Sequence, residues 1–91
     1  MKRAAAIKLG DVVEVEWVDI TSHDGWMGFD EAQHTSVLQC KSYGRVVSID
    51  EQLIRVAGTF GVLKSDPAGN PDWAAVWTIP LAVVSSIRKL V

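Results

Sequence analysis

VLQCKSYGRVVSIDEQLIRVAGTF, residues 37–60, is the stretch that decides the fold. From Val37 to Ile49 and from Leu53 to Phe60 it is dense in Val, Ile and aromatic residues. The polar Asp50-Glu51-Gln52 between them reads as a hairpin loop. With those three residues as the loop, Ile49 faces Leu53, and residues of like parity pair outward. One face then carries Leu38, Cys40, Ser42, Gly44, Val46, Ile54, Val56 and Phe60, a core face with small residues where strands bend. The opposite face carries Gln39, Lys41, Tyr43, Arg45, Val47 and Arg55.

Upstream, Gly10-Asp11 is a turn signal. Beyond it Val13, Val15 and Trp17 alternate with Glu14, Glu16 and Val18, the pattern of a strand with one buried face. Residues 19–34 hold Gly25, Gly28 and scattered acids without a period and read as a long loop. A helical turn over Asp30–His34, capped by Asp30, is expected inside it. Downstream, Asp66-Pro67-Ala68-Gly69 places Asp, Pro and Gly where a type I turn favours them. Trp73, Ala75 and Trp77 then alternate with Ala74, Val76 and Thr78 as a further strand, and Pro80 ends its pairing. Leu81–Val84 suggests one turn of helix, and residues 86–91 a last strand.

Ninety-one residues with 48% hydrophobic and 22% charged residues make one globular domain rather than a disordered tail. The expectation is a single domain over 1–91, with 1–9 an N-terminal extension or short helix. Five or six short strands in so few residues, without an internal repeat, point to a mainly β fold. A long loop after strand one and a helical turn before the last strand narrow it to a small SH3-like or Sm-like barrel. No apolar run approaches the ~20 residues of a membrane span, and Lys8 and Asp11 interrupt any signal-peptide core. The single cysteine, Cys40, cannot close an internal disulfide, which suits a reducing cytoplasm.

Charge is segregated. Asp11, Glu14, Glu16, Asp19, Asp24, Asp30 and Glu31 fall in residues 10–40 without a Lys or Arg, whereas Lys41, Arg45, Arg55 and Lys64 dominate residues 41–64. The net charge of −2 argues against binding of duplex DNA. Lys41, Tyr43, Arg45 and Arg55 share a strand face, and basic groups around one aromatic ring suit a phosphate-bearing ligand whose base stacks on Tyr43. Four tryptophans are many for this length. Trp17 reads as core. Trp26 lies in the loop, where it plugs a barrel end or meets a partner, and Trp73 and Trp77 either fill the barrel or, with the small Ala75 between them, leave a slot for a partner.

Catalytic ingredients are sparse, and no catalytic residue, cofactor or metal site is expected. Cys40 lies on the core face, and Ser85-Ser86 has no acid–base partner nearby. Glu31 and His34 have the spacing of a Glu-x-x-His ligand pair, with His23 in the same loop. That motif occurs once, whereas carboxylate-bridged metal bundles use it twice on long helices.

Two resemblances add to this reading. Thr78–Val84 resembles the Pro-initiated helical turn near the end of SH3 domains, and the acidic loop with Trp26 resembles their RT loop. Ala82 and Val83 stand where those domains place the Asn and Tyr of the proline-rich ligand groove, so the architecture carries over and that binding does not. Over most of the chain, Gly10-Asp11 with Val12–Asp19, Gly25-Trp26, and Ile79-Pro80 through Ser86–Leu90 resemble short proteins encoded by tailed phages and prophages. That resemblance implies a small accessory protein acting by binding in the cytoplasm of a bacterial host. The leading expectation is a non-enzymatic module that captures a host protein or phosphate-bearing ligand, as a host-modulating or anti-defence factor. The alternatives are a virion or assembly accessory with Trp-mediated subunit contacts, and a small metal-dependent enzyme built on His23, Glu31 and His34. A homo-oligomer, with a dimer favoured, is expected because open strand edges and surplus Trp favour symmetric contacts.

Overall fold

The computed structural model describes Lys2–Arg3 as backbone and residues 6–90 in full. The alternation of Val13 and Val15 with Glu14 and Glu16 becomes β2 (Val12–Asp19), which follows β1 (Lys2–Arg3). The 37–60 stretch becomes β3 (Leu38–Ile49) and β4 (Leu53–Val62), and β5 (Pro71–Pro80) and β6 (Val84–Lys89) complete the strands. They form one mainly antiparallel sheet in the order β1-β6-β2-β3-β4-β5, with β1 parallel to β6. Helix among the described residues is confined to α1 (Phe29–Ala32) and a 3-10 turn over Leu81–Val83. The mainly β reading therefore holds.

Val13, Val15, Val46, Ile54, Val56 and Ile87 are fully buried and form the centre of the core. Each stabilises the fold by roughly 1.5–3 kcal/mol relative to an exposed side chain. Trp17 packs against the edge of this cluster, half-buried, and its Nε1–H donates to the buried Ser42 hydroxyl at 3.0 Å.

Of the two alternatives for 1–9, extension or short helix, no helix is present among the described residues; Met1, Ala4 and Ala5 lie outside them. Lys2 and Arg3 pair with Ser86 and Ile87, and Ile7 enters the core. So short a helix cannot persist alone, whereas the edge of β6 offers partners at once. In the loop, Asp30 is not the cap. Gly28 occupies that position without a side-chain bond, and Asp30 sits in the first turn of α1.

The β3–β4 hairpin turns on two residues, not three. The Asp50 N–H donates to the Leu53 carbonyl, and Ile49 pairs with Ile54. The register then shifts between Val46 and Ser48, so that Val46 faces Val56 and Arg45 faces Ala57, as a three-residue loop would have set them. The Asp50 carboxylate explains the tighter turn: it accepts from the N–H groups of both Gln52 and Leu53, at 2.7 and 3.0 Å. Ser42, Val46, Ile54 and Val56 are buried as read, but Leu38 and Phe60 are about half-exposed. β3 before Cys40 and β4 beyond Ala57 are exposed.

Candidate functional site

The outer half of the β4–β5 hairpin leaves the body of the protein. Ladder pairing continues from Leu53 with Pro80 out to Val62 with Pro71, yet only Ile54, Val56, Ala57 and Ile79 of these two strands are buried. From Gly58 to Ala75 the hairpin is an arm, which accounts for dimensions of 62 × 30 × 21 Å and a radius of gyration of 17.4 Å. A compact chain of this length would have a radius of about 12 Å.

At the root of the arm the register places Gly58 opposite Ala75, and Ala75 has a φ of 53°. This left-handed residue makes a joint in the strand. Beyond it Phe60 pairs with Trp73, their ring centroids 5.1 Å apart and tilted by 35°. The Arg45 guanidinium lies 5.5 Å from the Phe60 centroid and donates to the Gly10 carbonyl at 2.8 Å. Trp73 joins Leu9, Gly10, Val46 and Val47 in lining an open cavity of about 540 Å³ at the arm's base. At the tip, the Gly69 N–H donates to the Asp66 carbonyl and the Asp66 carboxylate accepts from the Ala68 N–H. This closes the turn read from the sequence.

The arm exposes Phe60 (48%), Leu63 (68%) and Trp73 (42%), with Val62 about half-exposed, and on the body side of the joint Trp77 (51%) and Val76, opposite Val56 and Ala57, are exposed as well. Two-stranded hairpins are marginal in water by themselves, and this one carries its apolar side chains uncovered. Sequence reasoning singled out Trp73 and Trp77 but not Leu9, Val62, Leu63 or Val76. The available signal was the length of β4 and β5, which run well past the last position the core can cover.

The basic residues of β3 and β4 are each engaged within the chain. Lys41 pairs with Glu16 at 3.4 Å, and that carboxylate holds the lysine pKa above its usual value. Arg55 donates to the Ser48 hydroxyl at 3.1 Å, and Arg45 is held by Gly10 as described. Tyr43 faces Glu14 across β2 and β3, while Arg88 on β6 reaches the same carboxylate at 3.0 Å. The Arg88 hydrogen bond, with a further contribution from Tyr43, holds the Glu14 carboxyl below the usual range. The result is a buried carboxylate bridged across three strands.

Trp26 is fully exposed, so it plugs no end of the sheet. Its loop is closed at the base by the Thr21 hydroxyl donating to the Ser36 carbonyl at 2.7 Å. An open cavity of about 700 Å³ in this loop is lined in part by His23, Met27, Asp30, Glu31 and His34. His34 Nδ1 donates to the Asp30 carbonyl at 2.6 Å. Among the described residues no three His, Cys, Asp or Glu side chains converge as metal ligands. Cys40 is half-buried beside Glu16, Trp17 and Lys41, in a small cavity that neither histidine lines. No helix of the described residues is long and apolar enough to cross a membrane.

No protein-family model matches the chain, and neither the curated proteins nor the solved structures give a match. The resemblances to SH3 domains and to phage-encoded proteins therefore rest on the residues quoted for them.

Proposed function

We propose that this chain is a non-enzymatic assembly protein that associates with itself through its hairpin arm. The reading takes it as a small accessory protein of the kind tailed phages encode, working in the cytoplasm of a bacterial host. The observation that carries it is the exposed apolar surface of the arm, Phe60, Val62, Leu63 and Trp73, continued past the joint by Val76 and Trp77, on ten-residue strands whose inner ends build the core. A core centred on so few fully buried side chains gains stability from any partner that covers this surface.

The body reads as an SH3-like barrel. Support comes from the order β6-β2-β3-β4-β5, the long loop after β2, and the 3-10 turn leading from Pro80 into β6. The arm then corresponds to an extended hairpin between the third and fourth barrel strands.

Sedimentation equilibrium tests the function. The wild-type chain should run as a species heavier than its 9.9 kDa monomer, and Trp77→Lys should shift it toward monomer with its circular dichroism unchanged. A wild-type monomer at every concentration overturns the proposal.

A further inference from the structure

We infer that the arm is a hinged flap over the cavity at its base, turning on Gly58 and Ala75 and latched shut by Arg45. Every contact involved lies within one chain, so the flap is independent of self-association.

The ladder pairs Ala57 with Val76 and Thr59 with Ala74 but skips Gly58 and Ala75 between them. Ala75 has a φ of 53°, a left-handed backbone that alanine seldom holds. Hinges are a few residues, often small ones, that absorb a change in backbone angles. On the body side Gly44 packs against the Ala57 backbone, which pins the strands up to the joint. On the far side the ladder runs unbroken from Thr59 with Ala74 to Val62 with Pro71, and the Phe60 ring lies against that of Trp73. The arm therefore turns as one piece.

Arg45 spans the gap that this joint leaves. Pairing of β3 with β4 ends at Arg45 with Ala57, and from Gly44 back to Leu38 β3 pairs with β2 instead. The guanidinium donates to the Gly10 carbonyl at 2.8 Å on the body and lies 5.5 Å from the Phe60 centroid on the arm. Gly10 is a fixed point, since its N–H donates to the Val46 carbonyl at 2.8 Å and the Val46 N–H donates to the Asp11 carbonyl at 2.9 Å. Neither partner of Arg45 is an anion, unlike the carboxylates that hold Lys41, Arg88 and Lys89. Release of the latch therefore strands no buried charge.

Trp73 is the arm's wall of the 540 Å³ cavity, whose other walls, Leu9, Gly10, Val46 and Val47, belong to the body. Turning at the joint withdraws that wall and uncovers the rest. From Gly58 to the Asp66 turn is about eight residues, or roughly 26 Å at ~3.3 Å per residue, so a turn of about 20° carries the tip roughly 9 Å.

Pulsed electron–electron resonance between two spin labels reads this angle. The labels go on Gln39→Cys, where β3 has parted from β4, and on Ser65→Cys beside the tip, in a Cys40→Ser chain. A large excess of unlabelled chain keeps each measured distance within one molecule. The parent should give one narrow distance, and Arg45→Ala should displace or widen it by several ångströms. Phe60→Leu should do the same to a smaller extent. Ala75→Gly, with the latch intact, should stay narrow, and added to Arg45→Ala it should widen the distribution further. A second label pair, Gln39→Cys with Glu51→Cys, reports the body and should not move in any of these variants. A parent that is already broad, or an Arg45→Ala chain as narrow and as centred as the parent, overturns the latched flap. So does a body pair that moves together with the arm pair, because Arg45 then supports the whole body. A monomer by sedimentation overturns self-association alone.

Discussion

Gly44 lies against the backbone of Ala57 so closely that a Cβ built on it would stand 2.5 Å from the Ala57 carbonyl oxygen and 2.9 Å from the carbonyl carbon. This close approach of β4 to β3 lies just before the arm departs. The obstacle is backbone, so it cannot swing away as a flexible side chain would. Gly44→Ala should therefore cost about 1–3 kcal/mol, the usual penalty for forcing atoms into a packed site. At roughly 4–8 °C per kcal/mol for a domain of this size, the melting temperature should drop visibly. Gly61→Ala is the control, because a Cβ there meets nothing within 4 Å.

Ala75 gives the opposite expectation. A non-glycine residue held at a left-handed φ costs about 1–2 kcal/mol, whereas glycine in an ordinary strand costs roughly 0.5–1 kcal/mol relative to alanine. Ala75→Gly should leave stability unchanged or raise it by up to about 1 kcal/mol, and Ala75→Val should lower it. Urea titrations read both, as a moved midpoint at constant slope.

The body was legible in the sequence because its signals are local. Alternation at Val13, Val15 and Trp17, the Asp66–Gly69 turn and the Pro80 stop each follow from a few neighbouring residues. The tight turn at Asp50 was not, because its register depends on one carboxylate choosing two backbone donors. The arm was only half legible. Trp73 and Trp77 stood out by type, but the exposure of Trp73 follows from where β4 parts from β3, a long-range fact. Lys41, Tyr43, Arg45 and Arg55 read as one basic face because their partners, Glu16, Glu14, Gly10 and Ser48, lie on another strand, in the turn before β2 or beyond a bulge.

Acid should unfold the protein through a small set of carboxylates. The Arg88 hydrogen bond lowers the pKa of Glu14, the Lys8 N–H lowers that of Asp11, and the N–H groups of Gln52 and Leu53 lower that of Asp50. A depressed folded pKa contributes stability that is fully present above the unfolded values of ~3.9 for Asp and ~4.3 for Glu. That stability is lost as pH falls through the folded pKa values below them. The melting temperature should therefore be flat near neutrality and fall below about pH 4. Glu14→Gln should be less stable at neutral pH and lose less on acidification. A wild type whose stability is indifferent to pH between 3 and 6 would contradict this.

Arg45 separates a structural role from a ligand-binding one. On the sequence alone, Arg45→Ala should weaken a phosphate ligand at least about tenfold and leave the fold intact. In the structure the same guanidinium holds the Gly10 carbonyl and covers the Phe60 ring at the root of the arm. A hydrogen bond to a charged group contributes ~1.5–3 kcal/mol and a partly exposed cation–π contact ~0.5–1 kcal/mol. Part of the first is recovered when water replaces the guanidinium, so Arg45→Ala should cost about 1–2 kcal/mol. Arg45→Lys should cost less, because an ammonium keeps the charge over the ring but lacks the planar fork. Calorimetric titration with mono- and cyclic nucleotides and short RNA should give no binding to the wild type, since Lys41, Arg45 and Arg55 already have partners in the chain. Nucleotide binding that Arg45→Ala abolishes without loss of stability would move the functional surface from the arm to the strand face that begins at Lys41.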